Sequence, residues 1–318
     1  MNIPKLVKVL KYDTETLYWV LMQELKQMGM EPKYAHDDWI YVDNEHPIML
    51  VAHIDTISRN RNLKIRVKKD RIKARNSVLG ADDRAGIYAI LEILRMCQEQ
   101  NVPMPSVLFT NYEEIGCVGA NAFCSADVMN KNMNLFIELD RQGYNEFVYY
   151  SWMLPKPIQT YVEGYRYVEA MGSMSDVDLL TEKYMVPHLN LSVGYYNQHT
   201  VREYLIPSQL QFTIDNVMEM VKNPVTELHE VDGSGYGSYY YDGGMGNAVP
   251  FTGSYDDYMS KFEPRNKYTE CDDVIPIVLD YDYYTDTITE VNYVQAEVDH
   301  DLEDITDDQY YEQYAWGY

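Results

Sequence analysis

Four unbroken apolar runs constrain this chain more than anything else in it: PIMLVA, SVLFT, NLFIEL and HLNLSV. None alternates polar with apolar residues, so each is expected as a strand covered on both faces. Between the first two lies RAGIYAILEILRMCQ, whose spacing predicts a helix of about four turns. A second helix is expected over residues 13–28, with Asp13 as its cap and Gly29 as its stop. Residues 34–42 read as short and strand-like, and PSQLQFTIDNVMEMVK as a closing helix opened by proline. Strands separated by helices argue for an α/β fold of three layers, αβα, around a mostly parallel mixed sheet.

Charge divides the chain. Residues 225–318 carry 22 Asp and Glu against 3 Lys and Arg, which leaves only −5 of the total −24 for residues 1–224. The same stretch holds 15 of the 31 tyrosines and opens with GSGYGSYYYDGGMG. Two parts are therefore expected: a folded domain over 1–224, and an acidic, Gly/Tyr-rich C-terminal extension over 225–318 that is largely disordered. Within the extension, DVIPIVLDYDYYTDTITEVNYV keeps a strand-like alternation that allows a small β element.

A net charge of −24 excludes general nucleic-acid binding, which needs a basic face for phosphates. No apolar stretch approaches the roughly 20 residues of a membrane span. The start, MNIPKLVKVLKYD, is interrupted by lysines and lacks a secretory core. Cys97, Cys117, Cys124 and Cys271 form no CxxC pair and no regular framework, so reduced, mostly buried thiols are expected. The expectation is a soluble, cytoplasmic protein. Its oligomeric state leaves no mark in the sequence.

In open α/β sheets, ligands gather beyond the carboxyl ends of the strands. After IMLVA come His53 and Asp55; after VLFT come Glu113 and Glu114; after NLFIEL comes Asp140; a short loop after HLNLSV leads to His199. The segment GADDRAG puts Asp82 and Asp83 directly before the long helix. Each piece alone has an ordinary explanation, such as a helix cap at Asp82 and Asp83 or a solvated acidic loop at Glu113 and Glu114. Together they offer imidazole nitrogen and carboxylate oxygen in the proportions two zinc-like ions need. One carboxylate must bridge such a pair, and one further acid must stay off the ions to take a proton from water. A His-x-Asp pair also supplies the usual partner that fixes an imidazole's orientation.

In this order, His-x-Asp, Gly-Ala-Asp-Asp-Arg-Ala-Gly, Glu-Glu-Ile-Gly, Asp and His resemble the co-catalytic zinc aminopeptidases and their relatives, including peptidase T and carboxypeptidase G. The likeness covers roughly residues 45–205. It implies two divalent ions, zinc first, with cobalt or manganese as alternatives. It implies His53 and Asp140 on one ion, His199 and Glu114 on the other, and Asp82 between them. Glu113 would be the general base, Asp55 would orient His53, and the Asp82–Asp83 peptide would be cis. Asp55 and Asp82 are only 27 positions apart, and Asp140 and His199 only 59, so the large insertions of some relatives are missing.

The resemblance implies hydrolysis of a peptide or amide bond, favouring an aminopeptidase on short peptides. A deacylase, a carboxypeptidase, or a binding and assembly protein on a retired peptidase fold are the alternatives. Asp176 is expected as a helix cap or a contact for a substrate amine, Glu203 as a support for His199, and Arg141 as a structural ion pair or a carboxylate binder. His36, His46, His188, His229 and His300 have no motif context.

Overall fold

The computed structural model describes residues 1–231 apart from 36, 58–62, 131, 151–152 and 173, together with the strand residues 280–282 and 287–290. The chain divides into two units, Met1–Gly243 and Gly244–Tyr318.

The first unit begins with helices α1 (Ile3–Lys11) and α2 (Thr14–Gln27), then strands β1 (Lys33–Ala35), β2 (Trp39–Val42), β3 (Ile48–His53), β4 (Ile65–Lys68) and β5 (Arg71–Ala74). Helix α3 (Ala81–Gln100), β6 (Ser106–Thr110), α4 (Val118–Ala126), β7 (Leu135–Arg141) and β8 (Glu146–Val148) follow. The unit closes with α5 (Lys156–Gly164), β9 (Val168–Ala170), α6 (Asp176–Tyr184), β10 (His188–Ser192), β11 (Tyr195–Tyr196), β12 (Tyr204–Leu205) and α7 (Pro207–Lys222).

All four apolar runs form strands, and these pair in parallel as β6-β3-β7-β10 at the centre of an eight-stranded sheet ordered β1-β2-β6-β3-β7-β10-β8-β9. Both faces are covered, which is why the runs do not alternate. Ile48, Leu50 and Ala52 of β3 join one core with residues of α1, α2, α3, α5 and α7, while Met49 and Val51 join the other with residues of α4 and α6. Burying one such aliphatic side chain stabilises by about 1.5–3 kcal/mol, so the central strands hold the layers together. A second sheet, ordered β11-β12-β5-β4, carries the later part of the site.

Several local readings change. Residues 34–42 form not one strand but an antiparallel pair, β1 and β2, around a turn. The lysine-interrupted start is an amphipathic helix, α1, burying Leu6, Val9 and Leu10 and capped by Asn2. The expected helix caps do appear at α2, where the Asp13 side chain accepts from Thr16 N at 2.8 Å.

Cys97 and Cys117 are buried free thiols, and Cys124 is a partly buried one. No helix among the described residues is long and apolar enough to cross a membrane. In the second unit, Asp280–Asp282 and Thr287–Glu290 pair antiparallel within the stretch expected to alternate. Residues 225–231 of the expected extension are described, with Val225 packed against the larger core and Val231 buried; the rest of the expected disorder falls on residues outside the described ones, as do His36, Cys271 and His300.

Candidate metal centre

His53 is the last residue of β3 and is completely buried. Its Nδ1 lies 3.2 Å from Asp55 Oδ1 and its Nε2 3.0 Å from Asp82 Oδ1. The same Nε2 is 3.5 Å from Asp140 Oδ1 and 3.9 Å from Glu113 Oε2. From the other side, His199 Nε2 lies 3.1 Å from Asp82 Oδ2 and 2.9 Å from Glu114 Oε2. Asp82 therefore gives one oxygen to each imidazole. All seven expected site residues meet at the strand ends.

Local sequence explains how. Gly80 adopts φ 71, and α3 starts with Asp82 and Asp83 in non-helical backbone joined by a cis peptide bond. Asp83 turns inward and accepts hydrogen bonds from His53 N at 3.2 Å and Gly86 N at 3.0 Å. A Cβ at Gly86 would stand 2.0 Å from the Leu139 carbonyl oxygen, so only glycine lets α3 press against β7 directly before Asp140. Gly119 plays the same part after β6, where a Cβ would meet Asp38 O at 2.3 Å. Asp55 receives Glu113 N at 3.0 Å and Glu114 N at 3.2 Å, which ties the Glu-Glu turn to the His53 strand end.

Charge is crowded here. Burial works against ionisation of Asp82, but hydrogen bonds from His199 and His53 hold it well below the usual carboxylate range. Asp82 and Glu114 raise His199 to about 10. Burial and the neighbouring Asp82 push Asp140 up to about 7, with His53 opposing them. Burial pushes Glu113 up to about 8; His53 opposes it, while Asp140, Asp176 and Asp82 add to it. Each imidazole proton thus stands where a cation would relieve the same carboxylates.

The donor set fits divalent ions. Two groups have ligand atoms within 4.8 Å of one another: His53, Asp82 and Glu114, and His53, Asp83 and Asp140. The second includes Asp83, but its oxygens are already taken by two backbone N–H groups, so Asp82 is the better partner of His53. Glu114 Oε1 is buried without a hydrogen-bond partner, as expected of a ligand atom facing an ion.

Other sequence expectations shift. Glu203 forms no hydrogen bond or ion pair with His199; it accepts from Gly80 N and Ala81 N, each at 2.8 Å, and from Asp82 N at 3.2 Å, fixing the turn that presents Asp82. Asp176 is the first residue of α6, with Ser175 at the cap position. Its carboxylate is fully buried, with Oδ2 accepting from the Thr110 hydroxyl and Oδ1 without a hydrogen-bond partner, so it does not serve as the helix cap. Arg141 pairs with Glu146 at 3.1 Å. His188 is a buried structural histidine, stacked on Tyr149 and bonded to Thr181, with burial lowering it to about 3. Sequence reasoning missed Tyr195, whose hydroxyl donates to Asp140 O at 2.8 Å and lies 3.2 Å from Asp140 Oδ1. Nothing marks it among 31 tyrosines.

Two expectations arise from this geometry. Glu203→Ala strands three buried N–H donors and should cost on the order of 3 kcal/mol. Chemical denaturation measures it, and an unchanged midpoint would remove Glu203 from this role. The second concerns pH. Glu113 and Asp140 have folded values above their unfolded ones, so their protonated forms favour the metal-free fold. That contribution is intact below about pH 4 and is lost as pH rises through about 7 and 8. His199 has the same sign, losing its contribution between about 6.5 and about 10. The chelated protein should therefore melt at lower temperature as pH rises from about 5 to about 8, and a divalent ion should reverse the slope. Identical pH slopes with and without the ion would contradict this.

The fold is a mixed α/β one, and the imidazoles and carboxylates gathered at its strand ends form a cluster with the chemistry of a divalent-metal site. Residues 40–183 match the family model of Peptidase family M28. It is 33% identical over 78 residues to the uncharacterized protein YqjE of Bacillus subtilis (strain 168), a match covering 24% of this chain and 21% of that protein. The chain thus spans about a fifth of that relative's length.

Among solved structures, aminopeptidase PepT from Bacillus cereus ATCC 10987 aligns with TM-score 0.57 at 14% identity, over 69% of this chain and 97% of that one. A tripeptidase from Staphylococcus aureus subsp. aureus mu50 aligns with TM-score 0.58 at 16% identity, over 70% and 97%. The TET aminopeptidase from Thaumarchaeota archaeon SCGC AB-539-E09 aligns with TM-score 0.56 at 12% identity, over 69% and 96%. At these identities the likeness is one of fold.

Proposed function

We propose that this chain is a zinc-dependent exopeptidase acting as an aminopeptidase on short peptides, with residues 1–224 as its catalytic part. The observation that carries the reading is Asp82, whose two oxygens each meet a different imidazole at 3.0 and 3.1 Å. His53, Asp82 and Asp140 would hold one ion; Asp82, Glu114 and His199 the other. Bound there, two zinc ions supply Lewis acidity to the scissile carbonyl and to the attacking water.

The remaining chemistry belongs to side chains. Glu113 lies 3.9 Å from His53 Nε2, and with cations relieving the crowded charge it would be a carboxylate that takes the proton of the attacking water and returns it to the leaving amine. Asp55 holds His53 by its Nδ1, fixing which nitrogen faces the site. Tyr195 holds Asp140 in the same way through its hydroxyl.

The end of the peptide is argued from charge. The acids around Asp82 and Glu113 favour a cationic α-amine over a carboxylate. Arg141, the cation adjoining Asp140 in sequence, is already bonded to Glu146, which weakens the case for carboxylate recognition. A matched set tests this: a free tripeptide, its N-acetylated form and its C-amidated form. Cleavage should be lost only on N-acetylation. Preference for the N-acylated peptide would indicate a deacylase or carboxypeptidase on the same metal site.

A further inference from the structure

The four-stranded sheet concentrates positive charge in a strongly acidic protein. Residues 64–75 contain seven Lys and Arg against one Asp, while the whole chain has a net charge of −24. The antiparallel register sets Arg66 opposite Lys73 and Lys68 opposite Arg71. On the inner face, Ile72 is fully buried, and Ile65 and Ala74 pack against the larger core. Strand alternation therefore places the four cations together on the outer face, as two directly opposed like-charge pairs. Such pairs destabilise a sheet, and an anion resting across Arg66 and Lys73 would remove that cost.

The row continues through Tyr204, opposite Lys73 on β12, to Tyr196 on β11. The Arg71 guanidinium carbon lies 4.3 Å from the Tyr204 ring centre, and the Tyr196 and Tyr204 rings stack at 5.0 Å. Asp70, the acid of the hairpin turn, is engaged by the Ser208 backbone N–H and hydroxyl. Among the described residues, no acid forms an ion pair with Arg66, Arg71 or Lys73.

We propose that this face docks an extended acidic segment of a separate polypeptide. Along a strand, side chains on one face repeat roughly every 6.7 Å, so carboxylates on alternate residues of an extended peptide match the spacing of Arg66 with Lys68 and of Arg71 with Lys73. Single-stranded nucleic acid fits less well. It needs open aromatic faces for its bases, whereas Tyr196 and Tyr204 are stacked on each other and Arg71 covers Tyr204. At about 0.15 M salt the screening length is about 8 Å, so a short peptide feels the basic face more than the acidic remainder of the protein.

The experiment uses the full chain and a labelled peptide of alternating Glu and Thr, read by fluorescence anisotropy at about 0.05 and about 0.15 M salt. The Glu peptide should bind, more weakly at the higher salt, and its Gln counterpart should not. The double variants Arg66→Glu/Lys73→Glu and Lys68→Glu/Arg71→Glu should each weaken binding at least roughly tenfold, with unchanged melting temperature and unchanged hydrolysis of a neutral dipeptide. Should a charge-reversed variant fail to fold, the neutral pair Arg66→Gln/Lys73→Gln decides and should still weaken binding. No binding at low salt, equal binding of the Gln peptide, unchanged affinity in folded variants, or tighter binding of a single-stranded oligonucleotide of equal charge would each overturn the proposal.

Discussion

Glu113→Gln should leave the protein folded and its ion content unchanged while turnover falls by about 10²–10⁴-fold, the usual cost of losing a general base. The amide matches the carboxylate in size but cannot accept the proton. Little of the fold depends on this side chain. Its polar contacts to Cys117 Sγ and to His53 Nε2, each at 3.9 Å, are weak, while the turn itself is held by Asp55 through backbone N–H groups. Glu114→Gln should behave differently, because Glu114 Oε2 meets His199 at 2.9 Å and Oε1 is buried without a partner. That variant should lose affinity for the ion before it loses intrinsic rate. Turnover and ion content measured on both variants separate the roles, and the reverse pattern would exchange them.

Much of this was legible in the sequence for one physical reason. Central parallel strands are buried on both faces, so β3, β6, β7 and β10 appear as unbroken apolar runs, and the next polar residue marks the rim. Reading outward from each run reaches His53, Glu113, Asp140 and, one loop later, His199. The rest escaped because its signal is not local. Strands β8, β9, β11 and β12 have two or three residues each, too few to show a period. Glu203 acts on backbone N–H groups more than 120 positions away, and no residue type announces that. Its four-residue spacing from His199 suggested a support for that imidazole, but Glu203 ends the loop before β12 and serves the turn that presents Asp82 instead. Asp176 does not cap its helix, because an acid at a helix start looks the same in sequence whether it caps the first turn or, as here, takes a buried threonine hydroxyl.

Two ions per chain is the other consequence with a large effect, and Asp82 is where it is decided. A single-ion site would need only one of the two imidazoles near this carboxylate. Here both Nε2 atoms approach it from opposite oxygens, at 3.0 and 3.1 Å. Elemental analysis after dialysis should therefore give a ratio near two for the unmodified protein, by the bridging logic of paired-ion sites, and near one for His53→Ala and for His199→Ala. Asp82→Asn keeps the volume but leaves one oxygen and no charge, so both ions should be lost and turnover should fall at least as far as in Glu113→Gln. Asp83→Asn is the control. Asp83 lies in a second cluster with His53 and Asp140, but its oxygens serve His53 N and Gly86 N. It should cost stability while a folded fraction keeps its ions. If Asp83→Asn emptied the site and Asp82→Asn did not, the bridge would belong to Asp83. If the unmodified protein held one ion and His199→Ala kept it, His199 would be a rim residue and the paired-ion reading would fail.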